Sequence, residues 1–435
     1  HPPGRRIPRK APVKRLQGES EAMGRVSFVL LLISQLLATT AFMFVVPFMP
    51  LYVQELGVED PGRAAAWAGF INGASGATMA LVAPLWGRLS DRLGRKLMLL
   101  RATLAAVVVV GSMGFVAGPW QLLGLRLLQG TLTGTVPAAT ALVASSSSSE
   151  RAGFRLGALQ TVIFVAAGVG PALGGISADL AGMRSSFFIA SALLAISAAM
   201  VLFGVAEKKP HPVGSGETEQ EEGSESDHAS LPYRLLLPGL LALFAVHVAI
   251  TSAAVALPGF IHTLAGAADR VATQAGWIIG TGALVASLGS LLGGKLATRF
   301  GTRRVITVSL ALAGLAAMPQ ALVASVPELW ALRLVTAFFL GCVIPVANLA
   351  IKGAAPPERQ GAAFGVASSA TSTGFALGPM GGGMLASTLG FWAAFLVPGV
   401  ALFVLAASLG LAWAPGIGRR KATASFRAVI ALLTR

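Results

Sequence analysis

Few residues able to do chemistry fall inside the apolar stretches of this 435-residue chain, so those that do are informative. Arg126 lies about seven residues past Pro119, hence about 10 Å into its run at 1.5 Å per helical residue. At that depth in a membrane an arginine costs roughly 2.5–3.5 kcal/mol, so it must have a use there, holding either a substrate group or a proton-relay partner. Snorkelling to the interface is the competing explanation, and it fits Arg333, only about five residues past Glu328, better. Gln129, about one turn beyond Arg126, extends its polar face. His247 is the mid-run group that ordinarily titrates near neutrality, which makes it a candidate proton carrier or an ordinary hydrogen-bonded packing histidine. Gln35, Thr39, Asn72 and Gln160 add scattered polar groups, each of which alone is more often a helix–helix hydrogen bond than a ligand contact. Phe42, Phe164, Phe338 and Phe375 are candidates to line an apolar pocket. These eleven residues form the expected substrate-binding set, with Arg126, His247 and the loop acid Asp91 as the proton-coupling candidates.

Other chemistries lack their residues. All 18 Asp and Glu fall in loops or at the ends of apolar runs, so no carboxylate pair stands ready for acid–base catalysis. The single cysteine, Cys342, provides neither a disulfide framework nor a thiolate ligand set. Gly289-x4-Gly294-Lys295 imitates a phosphate loop, but Leu296 replaces the Ser or Thr that would hold magnesium and an apolar run precedes it instead of a strand. No metal, nucleotide or other cofactor is expected, and the chain is not expected to be an enzyme. A channel filter and a folded sensor domain are equally without a segment to form them.

The elements that must position these residues are membrane helices. Of the chain, 54% is hydrophobic and 12% charged, with 52 glycines and a mean hydropathy of +0.74. A spanning helix needs about 20 apolar residues, and runs of that length lie near 27–53, 66–87, 97–117, 120–144, 154–178 and 185–206. Six more lie near 235–258, 272–294, 304–325, 328–351, 361–387 and 391–414. The expected organisation is a basic tail (1–25), a six-helix bundle (26–206), an acidic Ser/Gly-rich linker (207–234), a second six-helix bundle (235–414) and a basic tail (415–435). The first apolar run is too long for a cleaved signal peptide; Met23 reads as the initiator, and residues 1–22 carry no expected function. With the N-terminus inside, the Lys and Arg fall in cytoplasmic segments, apart from Arg63, Arg184 and Arg270 outside and Arg126 and Arg333 within spans. Both termini are therefore expected in the cytoplasm. Topology also accounts for the +15 net charge, because the basic residues are dispersed and have no aromatic stacking surface for nucleic acid.

The two halves are copies. Gly87-Arg-Leu-Ser-Asp91-Arg92-Leu-Gly94-Arg95-Lys96 recurs as Gly294-Lys-Leu-Ala-Thr298-Arg-Phe-Gly301-Thr-Arg303, and Leu125-Arg126-Leu127 as Leu332-Arg333-Leu334. Gly170-Pro171-x-x-Gly174-Gly175 recurs as Gly378-Pro379-x-x-Gly382-Gly383. Parallel duplication of an apolar multi-helix unit places a substrate site between two bundles in many secondary transporters.

With these residues in view, the chain resembles the twelve-span drug:proton antiporter branch of the major facilitator superfamily over about residues 26 to 414. Gly87-x-Leu89-x-Asp91-Arg92-x-Gly94-Arg95-Lys96 matches the family's loop motif between helices 2 and 3, and Arg126 with Gln129-Gly130 resembles its helix 4 motif. The antiporter motif of helix 5 appears as Gly157, Ala166, Gly170-Pro171 and Gly174-Gly175, where Ala166 is the one departure; helix 11 carries it complete from Gly365 and Gly374 to Gly382-Gly383. The resemblance implies an all-α membrane fold of two pseudo-symmetric six-helix bundles. It also implies a monomeric multi-pass exporter of amphipathic small molecules in the cytoplasmic membrane, exchanging them for protons by alternating access. Export of a specific metabolite such as a sugar or a lysolipid is the runner-up, and a non-transporting membrane sensor a weaker one. Relatives that export lipophilic cations often carry a mid-membrane acid; its absence here turns the reading toward neutral or weakly anionic substrates.

The motifs also have a physical reading. Gly87 ends a span, Gly94 permits a tight turn, and Asp91 is the sole acid between Arg88 and Arg101. The resemblance implies that Asp91 latches one face shut against the positive N-terminal end of helix 11, near Pro357 to Gly361, in one conformation only. Thr298 in the second copy leaves one latch. The Gly-Pro-x-x-Gly-Gly segments clear one helical stripe of side chains, so Gly170, Pro171, Gly174, Gly378, Pro379 and Gly382 are the expected gating positions, together with Gly87, Asp91, Arg92, Gly94 and Arg95.

Overall fold

Helix dominates because the duplicated apolar runs can satisfy their backbone groups internally only in that form once water is excluded. A computed structural model of the chain describes residues 23–146, 149–205, 233–265, 270–356 and 359–413. The helices are α1 (Arg25–Phe44), α2 (Met49–Glu55), α3 (Pro61–Leu93), α4 (Arg95–Ser112), α5 (Pro119–Leu132), α6 (Thr135–Ser145), α7 (Ser149–Ala181) and α8 (Met183–Gly204) in the first half. The second half contains α9 (Tyr233–Ala265), α10 (Val271–Phe300), α11 (Thr302–Ala317), α12 (Val326–Ala354), α13 (Gln360–Thr388) and α14 (Ala393–Trp413). Two expected spans are interrupted: α1 and α2 meet across a 3-10 turn at Val46–Phe48 containing Pro47, and α5 and α6 are separated by Thr133 and Gly134. Counted as rods, the order follows the twelve expected runs, in two bundles of six.

Nine segments among the described residues are long and apolar enough to cross a membrane. The exceptions follow from composition. The α5–α6 pair is broken, while α3 and α13 are rich in Gly, Ala, Ser and Thr where a lipid-facing helix has Leu and Val. Those small residues serve contact instead, since α3 packs against α13.

Two seams join the bundles, α3 with α13 and α7 with α10. At both, helix backbones touch through glycine. A Cβ on Gly69 would overlap the Pro379 carbonyl, and one on Gly383 would lie 2.9 Å from the Ala66 Cα. A Cβ on Gly276 would lie 2.9 Å from the Pro171 carbonyl carbon, and one on Gly175 at 2.9 Å from the Thr273 Cα. Farther along the same helices the contacts loosen: at Gly76 the nearest atom is 3.6 Å away, and Gly157, Gly294 and Gly365 face open space. The bundles are therefore sealed at the end remote from residues 25 and 413 and parted toward the end where the described chain begins and finishes.

This geometry corrects part of the gating expectation. Gly170 and Gly174 face α1 of their own bundle, where a Cβ would meet Met43, Thr40 and Phe44, and Gly378 and Gly382 face α9 at Val248, Thr251 and Ser252. The inter-bundle face belongs to Pro171 and Gly175 on α7, and to Pro379 and Gly383 on α13. The reason is helical: residues four apart share a face, and the next residue is turned about 100° away, toward the other bundle. Gly94 (φ 99°) and Gly301 (φ 86°) make equivalent left-handed turns after α3 and α10, a conformation that glycine adopts without steric cost.

Alanine substitution separates seam from open space. Gly175→Ala should lower the yield of a disulfide engineered across α7 and α10 at the sealed end, because the intruding methyl meets backbone that cannot rotate aside. Gly157→Ala should leave it unchanged; equal yields would mean that the seam is not held by this contact.

Candidate functional site

Arg126 and Arg333 are matched in depth. α5 begins at Pro119 and α12 at Val326, so each arginine lies seven residues (126 − 119 and 333 − 326) and about 10 Å from the start of its helix. The expectation that Arg333 sits nearer the interface is corrected by that start. Arg333 also does not snorkel: it lines a cavity inside the second bundle with Gln320, Thr336, Ala249, Ala253 and Phe395. Its volume of ≈ 10 Å³ has room for about one water. Gln320, fully buried, donates to Thr336 Oγ1 at 2.7 Å and to the Ala316 carbonyl at 3.1 Å, and its Oε1 has no partner. Sequence reading missed Gln320 and Thr336 because they are ordinary polar residues until the third dimension sets them beside an arginine.

In the first bundle the rod carrying Arg126 is broken two turns further on. Gly134 has φ 155°, Pro137 follows in the first turn of α6, and Thr133 donates both its N–H and its hydroxyl to the Gln129 carbonyl, at 2.9 and 2.7 Å. The Trp86 indole on α3 donates to the Thr131 carbonyl at 2.6 Å, and the Arg101 guanidinium of α4 stacks 3.4 Å from the Trp86 ring centroid. Nε and Nη1 of Arg101, Nε of Arg126 and Oε1 of Gln129 are all buried without a partner. Arg126 and Gln129 thus do not bond to one another through those atoms. The Gly-x-x-Pro spacing at Gly134 to Pro137 is the sequence signal that marks this break. No break exists at the matching place in α12, where Gly341 is buried against Ala286 instead.

The remaining candidates divide by accessibility. Gln160, Phe164 and Phe375 are exposed, and Asn72, Arg126, Phe42 and Phe338 are half-buried. Gln35 and Thr39, one turn apart on α1, are buried, and neither Gln35 amide atom nor Thr39 Oγ1 has a partner. His247 is buried on α9 and donates through Nδ1 to the Leu243 carbonyl at 2.7 Å, which leaves Nε2 as the acceptor of the neutral ring. Its ring meets that of Phe375 on α13 at 4.7 Å, a pair within the expected set that the fold brings into ring contact. Phe338 instead stacks edge-on with its neighbour Phe339. The Asp91 side chain, the surroundings of Gly87 and Gly361, and residues 357–358 lie outside the described residues. Arg95 reaches across to the Ala141 carbonyl on α6 at 3.1 Å, and Lys96 to the Leu202 carbonyl on α8 at 3.0 Å, so the first turn of α4 is tied to two neighbours; Arg92 is exposed.

No group of three or more His, Cys, Asp or Glu that could hold a metal occurs among the described residues. The candidate residues are carried on helices of both bundles, and among the described residues polar atoms of Gln35, Thr39, Arg126 and Gln129 are buried without partners.

Comparison with known proteins fits that geometry. The model of the Major Facilitator Superfamily matches residues 31–270 and 239–430. A relative from Lactococcus lactis named a multi-drug resistance efflux pump PmrA homologue is 32% identical over 366 residues, covering 84% of this chain and 89% of its own. The multidrug resistance protein MdtG of Proteus mirabilis is 35% identical over 370 residues, covering 84% and 90%. Among solved structures, a bacterial homologue of the human lysosomal transporter Spinster, in an inward-facing and occupied conformation, superposes with a TM-score of 0.72 at 17% identity, covering 89% of this chain and 98% of the other. The nucleoside transporter NupG superposes with a TM-score of 0.70 at 15% identity, covering 88% and 100%. The duplicated helices, the two glycine seams and these matches place the chain, as a multi-pass membrane protein, in the Major Facilitator Superfamily of transporters.

Proposed function

We propose that this protein exports amphipathic small molecules across the cytoplasmic membrane, driven by protons and by alternating access. The observation that carries the reading is the pair of glycine seams, sealed at one end and parted at the other, because two rigid bundles in backbone contact can rock between two such arrangements without repacking their interiors. Placing both termini in the cytoplasm, as the Lys and Arg distribution favours, makes the present arrangement open to the inside. Relatives named as multidrug efflux proteins support export of varied compounds, and so do the accessible Phe164 and Phe375, since aromatic surfaces accept many apolar shapes. Arg126 offers the half-buried cation in this space, which suits neutral or weakly anionic amphiphiles. Asp91 serves in this reading as the latch of the cytoplasmic face, and His247, with a free Nε2, as a proton acceptor beside the Phe375 wall.

Proteoliposomes test the energy source. Export of an amphipathic dye should collapse when an ionophore dissipates the pH gradient and should be indifferent to ATP; undiminished export without the gradient would overturn proton coupling.

Arg126 tests the binding role. Lysine retains the charge but not the planar fork, so Arg126→Lys should keep part of the transport rate per inserted molecule and Arg126→Ala almost none. A rate for Arg126→Ala equal to that of the parent would remove this residue from the site.

A further inference from the structure

At the sealed end one carboxylate crosses from bundle to bundle. Asp179, in the last turn of α7, accepts a hydrogen bond from the backbone N–H of Thr273 in the first turn of α10, at 2.7 Å. Two features make this contact more than a chance surface pairing. First, an acid in the last turn of a helix opposes the partial negative charge of its own helix end, so Asp179 is misplaced with respect to α7 and well placed with respect to the positive start of α10. Second, α10 lacks a cap of its own. Its N-cap residue is Arg270, held at φ 76° with no side-chain hydrogen bond, and arginine has no acceptor to offer. Thr273 is the third residue of α10, whose amide an N-cap side chain ordinarily serves. In the matching helix α3 that amide belongs to Arg63 and is served locally, by the N-cap residue Asp60 at 2.6 Å. The second copy of the helix therefore receives across the seam the cap that the first copy makes for itself.

We propose that Asp179 is a gating residue, an outer latch that stabilises the state sealed at this end by capping α10 in trans. The contact can exist only while Gly175 and Gly276 hold α7 and α10 at backbone distance, so it favours one state and contributes nothing to the other. Among the described residues, the charged or titratable groups at this end include Arg270 at the start of α10, Arg184 at the start of α8 and His262 in the last turn of α9. At the opposite seam Gly62 lies against Ser387 of α13, and the acid there, Asp60, caps its own helix α3. The arrangement mirrors the role proposed for Asp91 at the other face. Each latch would be a carboxylate of the first bundle, and each would meet a helix start of the second that lacks a side-chain cap, α10 here and α13 there.

The inference rests on the two-state reading above, and the test separates them. Spin labels on Leu180→Cys and Leu389→Cys, both exposed and one on each bundle, report the distance across the sealed end in a Cys342→Ser background. Asp179→Asn preserves size and removes the charge, and should lower the ratio of closed to open populations about fivefold, the effect of losing one helix cap. Asp179→Glu should restore much of that ratio, whereas Asp91→Asn should move it the opposite way. An Asp179→Asn population equal to that of the parent, with Asp91→Asn shifted, would overturn the latch alone. One unchanging distance in all three proteins would overturn the two-state reading itself.

Discussion

Direct contact of helix backbones across the two seams is the constraint on which the rest of this molecule depends. A membrane supplies no hydrophobic force between apolar helices, so association must come from close packing and from the few polar groups that reach across. Glycine at Gly69, Gly175, Gly276 and Gly383 lets carbonyl and Cα atoms of opposing helices meet with no side chain between them. Such a surface has no interlocking knobs to withdraw when the bundles part. Breaking it exposes little buried apolar side chain, and a small differential contact is enough to shift the balance between sealed and parted.

Small contacts therefore matter more here than in a soluble core. A single capping hydrogen bond such as that of Asp179 is worth about 1 kcal/mol, negligible against the cohesion of a bundle yet several-fold in a population ratio. The same reasoning explains why the sealed end carries its polar contact at a helix start. A backbone amide is a donor with a fixed position that exists whatever the side chains do, and it needs no second charge to be buried with it.

The interior polar groups follow a different logic. Arg333, Gln320 and Thr336 fill one small pocket within the second bundle, while Arg126 lies below a helix break that α12 does not share. The two copies place the same arginine in different surroundings: both are half-buried, but Arg333 shares a small cavity with Gln320 and Thr336 on continuous helix, whereas Arg126 lies before the disrupted end of α5. Structural asymmetry on a duplicated scaffold thus arises where one copy keeps a continuous helix and the other does not.

Sequence by itself determined the helical class, the duplication, the order of the rods and the family, because each depends on composition and spacing along the chain, and apolar runs of membrane length have one way to satisfy their backbones. It also picked out the Gly-Pro-x-x-Gly-Gly stretches as places of close approach. Tertiary structure decided which residue in each stretch faces which neighbour, since one step along a helix turns a side chain about 100°, and so assigned Gly174 to its own bundle and Gly175 to the other. It decided that Arg333 points inward, that span 4 breaks at Gly134, and that Asp179 finds Thr273, a partner 94 residues away. Those facts arise from distances between segments remote in the chain, and neither hydropathy nor repeat spacing carries them.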